Sequence, residues 1–283
     1  MTRRPHGDLT MSYKTILVHA EAGEGSDERI KLAANVAAMF EAKVIGLGVE
    51  GFFPVMTSGY AAVDGMVLEA VRERIAADLP VAEQRFRSLT GEVAAGVGWA
   101  TGFDYPAAEI ARHARGADLV VASRPPRGAN AAYCAPAADV VLEAGAPVLF
   151  PCGGRGTFKA DRILVAWKNT REARRALADA LPFLMRASQV TVAVISGESE
   201  EVEHIGLQEV SERLGRHGVK VKTLVAPKGC GTVTDAIERV AGEVSADLIV
   251  VGAYGHSRLQ EWVLGGVTED LLAASSRCVL FSH

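Results

Sequence analysis

Short apolar runs recur along the chain: Ile16 to Val18, Val44 to Val49, Leu119 to Val121, Ile163 to Val165, Val190 to Ile195 and Leu248 to Val251. They are nearly continuous in Val, Ile and Leu, as parallel strands covered on both faces require. Between them the apolar residues change period. Ile30, Ala33, Val36, Ala37 and Phe40, and again Ala173, Leu177, Leu181 and Leu184, each fall on one face of a helix. Asp104 before Tyr105-Pro106 and Thr170 before Arg171-Glu172 mark helix starts. Short buried strands alternating with amphipathic helices predict βαβ units and a parallel sheet.

The pattern occurs twice. Lys14-Thr-Ile-Leu-Val is echoed by Asp161-Arg-Ile-Leu-Val, Ala117-Asp-Leu-Val-Val by Ala246-Asp-Leu-Ile-Val, and Gly145-Ala-Pro-Val-Leu-Phe by Ser276-Arg-Cys-Val-Leu-Phe. The offset falls from 147 at the first landmark to 129 at the second, so the first copy holds about 18 extra residues. Residues 51–65, GFFPVMTSGYAAVDG, read as the inserted loop, apolar enough at Phe52, Phe53, Met56 and Tyr60 to cover a site or fold back on the surface. The predicted organisation is a flexible tail over 1–11, a first domain over 12–152, a Gly-rich linker over 153–159 and a second domain over 160–283. The closing strands, Val148 to Phe150 and Val279 to Phe281, would leave apolar sheet edges open unless they pair with each other.

Composition narrows the class. With 283 residues, 49% hydrophobic and 23% charged, the chain is globular rather than disordered or repetitive in composition. A net charge of -4 supplies no basic excess for a phosphate backbone, which argues against nucleic acid as a partner. Cys134, Cys152, Cys230 and Cys278 show no CxxC spacing, which argues against a zinc site or a disulfide scaffold and fits a reducing compartment. The polar opening MTRRPHGDLT and the lack of a long apolar run predict a cytoplasmic protein with no membrane partner.

Candidate chemistry concentrates after the Leu248 run, where a strand leads into a glycine-marked loop and then a helix. Gly252 and Gly255 are expected to take positive φ and let the backbone approach a ligand. Gly265 and Gly266 bare the amides of the last helix, where orphan N–H groups and the dipole favour phosphate. Thr268 offers a hydroxyl, and His256 or Arg258 a cationic donor or simply a solvated loop residue. Trp262, Val263, Val267 and Leu271 have helical spacing and read as core or interface. His19, with no partner at metal-ligand spacing, reads as a buried strand-end histidine, and Cys278 as a small hydrophobe.

The spacing Gly252, two residues, Gly255, nine residues, Gly265 resembles the nucleotide loop of the universal stress protein family. Each half resembles one such domain from first strand to last. The resemblance implies two tandem open-twisted parallel five-stranded α/β sheets with helices on both faces, the adenine nucleotide alpha hydrolase-like fold, packed as an intrachain pseudo-dimer. It implies a stress-response role and ATP or AMP as ligand, with Mg accompanying ATP, and no settled reaction. The nucleotide-binding positions it implies are Ala166, Lys168, Val194, Gly252, Gly255, Arg258, Gly265, Gly266, Val267 and Thr268, with Val194 beside the adenine. Gly266 stands where the family usually has Ser or Thr, and Lys168 where nucleotide-binding members often have the Asp that holds the ribose.

Two other readings stay open: a nucleotide-free module that dimerises or docks a protein partner, and a slow ATP hydrolase. Against an enzyme, the chain carries no Walker lysine motif and no carboxylate pair placed for magnesium near the glycines. The halves are expected to be unequal. Ser123 stands opposite Gly252 and Pro126 opposite Gly255, Tyr133 and Cys134 fall where Gly265 would be, and Pro125, Pro126 and Pro136 lack amide donors. At most one nucleotide per chain is therefore expected, in the second half.

Overall fold

The computed structural model describes residues 11–49, 65–91, 93, 95–124, 135–152, 157–196, 200–255 and 266–283. The first half runs β1 (Thr15–Ala20), α1 (Asp27–Phe40), β2 (Lys43–Val49), α2 (Gly65–Thr90), β3 (Val97–Gly102), α3 (Pro106–Ala114), β4 (Leu119–Val121), α4 (Ala137–Glu143) and β5 (Val148–Phe150). The second runs β6 (Arg162–Ala166), α5 (Arg171–Asp179), α6 (Leu181–Arg186), β7 (Gln189–Ser196), α7 (Glu200–Arg216), β8 (Val221–Pro227), α8 (Val233–Glu243), β9 (Leu248–Gly252), α9 (Gly266–Ala274) and β10 (Cys278–Ser282). Every apolar run read as a strand is one. β3 and β8 went unread because they are the outermost strands, and only one residue of each is buried.

The ten strands lie in the order β3-β2-β1-β4-β5-β10-β9-β6-β7-β8. Each half is a parallel five-stranded sheet, and the halves join where β5 and β10 pair antiparallel, Leu280 opposite Leu149 and Phe281 opposite Val148. Alternate residues feed two core layers, and both layers cross the junction. Ile16, Val18, Ile163, Val165 and Leu280 lie on one face, and Leu17, Phe150, Leu164, Val279 and Phe281 on the other. Tyr13 of the first half donates to the Asp179 carbonyl at 2.6 Å and packs 5.2 Å from Phe183 of the second. The expected pseudo-dimer is thus a single continuous sheet.

The repeated Ala-Asp-Leu landmark has a bonding job. Asp118 accepts from the amides of Lys14 and Thr15, at 2.7 and 2.9 Å. Asp247 does the same for Asp161 and Arg162, at 2.9 and 3.1 Å. In each half this carboxylate ties the entry of the first strand to its neighbour.

Two helix readings need correction. The stripe from Ala173 to Leu184 is two helices, α5 and α6, because Pro182 in the first turn of α6 cannot donate back to the preceding turn. The start of α3 is capped at Tyr105, with Pro106 in its first turn; Asp104 instead accepts from the Tyr105 amide at 2.7 Å. Thr170 caps α5 as expected, accepting from the Ala173 amide at 3.3 Å. The tail 1–10 and most of the 51–65 insertion lie outside the described residues.

Candidate functional site

The carboxyl ends of β6, β7 and β9 open on one cleft of about 460 Å³, within the range of small-molecule sites. Its floor and walls are apolar: Ala166 of β6, Val194 and Ile195 of β7, and Val233 and Ile237 of α8. Its rim carries the exposed Lys168, the Thr170 hydroxyl, Gly255 and the first residues of α9, Gly266, Val267 and Thr268. The lining therefore brings together Ala166, Lys168, Val194, Gly252, Gly255, Gly266, Val267 and Thr268 from the sequence reading. Arg258 and Gly265 lie outside the described residues, as do His256, Trp262 and Val263. Val233 and Ile237 were missed, although their i, i+4 spacing was a usable signal, because the strand that leads to their helix is an edge and went unread.

The glycines act differently from the expectation. Neither Gly252 nor Gly255 has positive φ; the left-handed residue is Tyr254, at φ 56°. A Cβ on Gly252 would lie 2.4 Å from the Ala173 nitrogen and 2.5 Å from the Glu172 carbonyl carbon, so this glycine seats the first turn of α5 on β9 and its close approach is to a helix. A Cβ on Gly255 would meet Glu172 Oε2 at 2.6 Å and Thr170 Oγ1 at 3.3 Å. Left-handed backbone costs a non-glycine residue about 1 kcal/mol or more. The contacts that hold Tyr254 include the phenol donating to Glu269 Oε1 at 3.0 Å, the amide approaching Thr268 Oγ1 at 3.5 Å, and the ring packing 6.5 Å from His283. The Thr268 hydroxyl thus faces the loop backbone.

Electrostatically the rim is mixed. The first amides of α9 have no partner within their own helix, and Lys168 adds a positive charge. Burial pushes the Glu172 carboxyl up, but hydrogen bonds from its own amide, Thr170 and Arg171 outweigh it and keep the group below the usual carboxylate value. The arrangement offers an apolar slot that ends on anion-favouring donors.

The first half carries different side chains at the matching positions. Ser26 takes the N-cap position of α1 as Thr170 does that of α5, although its hydroxyl donates to the Glu21 and Gly23 carbonyls, so Arg29 stands at the helix position that Ala173 occupies. Its buried guanidinium donates from Nε to the His19 carbonyl at 2.5 Å and lies 3.1 Å from Glu21. By the 147-residue offset, His19 and Glu21 match Ala166 and Lys168. An internal ion pair thus stands at the positions of Ala173 and Lys168, and Arg29, Ser123, Pro136 and Ala137 line a cavity of about 500 Å³ with a charged wall. Arg124, next to Ser123, reaches across the junction to the carbonyls of Ser275 and Arg277 at 2.6 and 2.8 Å. Residues 125–134 lie outside the described residues, so the expected loss of amides at Pro125 and Pro126 and the places of Tyr133 and Cys134 do too.

His19 is buried, with Nε2 3.2 Å from the Val49 carbonyl, and burial, with the Arg29 charge, pushes its pKa down to about 4. The folded value lies below the unfolded one, so the neutral ring's contribution is complete above about pH 6.5 and is lost as pH falls towards 4. The gap of about 2.5 units corresponds to roughly 3 kcal/mol. Urea unfolding of the wild type is expected to weaken steeply over that window, and His19→Gln to flatten the dependence; parallel pH profiles for the two proteins would refute the assignment.

The Universal stress protein family model matches residues 159–281. Universal stress protein MJ0577 of Methanocaldococcus jannaschii is 30% identical over 74 residues, which is 26% of this chain and 44% of that protein's length. Among solved structures, a universal stress protein of Archaeoglobus fulgidus DSM 4304 aligns over 95% of both chains with a TM-score of 0.68 at 18% identity. A candidate universal stress protein of Pseudomonas aeruginosa UCBPP-PA14 aligns over 95% of this chain and 93% of its own, with a TM-score of 0.59 at 19% identity. At such identities the structural likeness speaks for the fold, while the family model speaks for the sequence of the second half. The second half thus matches the universal stress protein family model, and the whole chain shares its fold with the universal stress protein of Archaeoglobus fulgidus, one parallel five-stranded unit in each half.

Proposed function

We propose that the second half binds one adenine nucleotide, ATP or AMP, and that the protein serves a regulatory or protective role in stress response. The observation that carries this reading is the cleft itself, an apolar slot that runs into the first turn of α9, whose leading amides have no acceptor within the helix, with Lys168 beside it. The base would lie against Val194, Ile195, Val233 and Ile237, and the phosphates at Gly266 and Val267. With Lys168 at the position where a ribose-binding carboxylate is expected, the sugar gains no acceptor there, and the lysine serves the phosphates. Among the described residues no three His, Cys, Asp or Glu side chains gather to hold a metal, so any Mg would arrive on the phosphates of ATP.

Calorimetric titration with ATP and with AMP is expected to give one site per chain, because the first half has the Arg29–Glu21 pair at the positions of Ala173 and Lys168 and Pro136, which has no amide donor, at that of Val267. Lys168→Ala should weaken ATP about tenfold, the loss of one charge-assisted contact at about 1.4 kcal/mol. Absence of binding would favour the docking module, and two equivalent sites would overturn the inequality of the halves.

A further inference from the structure

β10 begins at Cys278, and the first half leaves β5 through Pro151 and Cys152. Antiparallel pairing sets the end of one strand beside the start of the other. The two sulfurs, 126 residues apart in sequence, stand 3.2 Å from each other. Cys278 is buried, whereas Cys152 is half-buried at the margin of the core layer, and both are reduced thiols. Arg124 lies over the same junction. It is held to the carbonyls of Ser275 and Arg277, just before Cys278, its charge interacts with both sulfurs, and its buried Nε meets no hydrogen-bond acceptor among the described residues.

We propose that Cys152 and Cys278 form an oxidisable dithiol that closes into a disulfide between the two halves, with a small-molecule disulfide as oxidant. The side chains need to approach by about 1.2 Å to reach a sulfur–sulfur bond of about 2.05 Å. The hydrogen bond to Cys152, together with burial, pushes the Cys278 thiol well up, so the more accessible Cys152 reacts first. Cys152 gives its proton to water, and its thiolate attacks one sulfur of RSSR, expelling RS⁻ and leaving a Cys152–S–S–R mixed disulfide. Cys278 then yields its proton to the expelled thiolate, attacks the Cys152 sulfur and releases the second RS⁻, which is protonated by water. Two protein thiols and RSSR become one protein disulfide and two RSH, so the protein loses two electrons and two protons. The Arg124 charge stabilises the transient thiolate at the junction. The product staples the two central strands of the sheet.

The test is oxidation of the full chain with glutathione disulfide, followed by alkylation and peptide mapping, with the exposed Cys230 as internal comparison. The expected result is a Cys152–Cys278 linked peptide within monomeric chains and a higher urea midpoint that dithiothreitol reverses. A Cys134→Ser, Cys230→Ser double variant should close in the same way, and Cys152→Ser should abolish both the link and the midpoint shift. Glutathione retained on Cys152, modification confined to Cys230, or links that follow other pairs would overturn the proposal.

Discussion

Replacing Leu280 with lysine is expected to unfold the chain or separate its halves. Leu280 is wholly buried opposite Leu149 in the antiparallel pair that joins the two sheets, and its layer continues into both halves. Removing a buried leucine costs about 3 kcal/mol, and an unpaired ammonium in the same place adds several more. Together these approach the 5–15 kcal/mol that typically separates folded from unfolded domains. Leu280→Ala isolates the packing part and should lower the melting temperature by roughly 6–12 °C. Urea unfolding and size-exclusion chromatography check both variants, and a lysine variant with the wild-type midpoint and hydrodynamic size would contradict the junction.

Gly252 and Gly255, three residues apart, are expected to fail in different ways. Gly255→Glu should retain the fold, since residue 255 is exposed and outside the strands and helices, but lose nucleotide affinity by on the order of 100-fold, about 2.7 kcal/mol. The added carboxylate enters the cleft rim beside the ionised Glu172, where phosphate charge would otherwise be welcomed. Gly252→Ala instead places a methyl against the backbone of α5, which cannot swing aside as a side chain can. It should cost about 1–3 kcal/mol of stability, as overpacking does. Binding measured by calorimetry and stability by urea unfolding, on both variants, separate the two roles. Equal stability loss in the two, or unchanged affinity in Gly255→Glu, would put the glycines outside the argument.

These glycines show where local reading ends. The strands buried on both faces were legible because a parallel sheet covered by helices demands unbroken Val, Ile and Leu, and the repeat was legible because each copy restates those runs in order. The pairing of β5 with β10 followed from two apolar edges that needed cover. Edge strands β3 and β8 escaped because a half-covered strand carries no such run, and with β8 went the cleft wall at Val233 and Ile237.

The chain by itself determined the fold class, the doubling and the junction, since all of these are set by which residues must leave water and in what order. Only tertiary structure decided that Gly252 accommodates a helix, that Tyr254 bears the left-handed turn, that Arg29 pairs with Glu21 in the first half, and that Cys152 meets Cys278. Each of those depends on contacts between residues brought together by the sheet, and hydrophobic periodicity says which face a residue takes without saying what it will touch there.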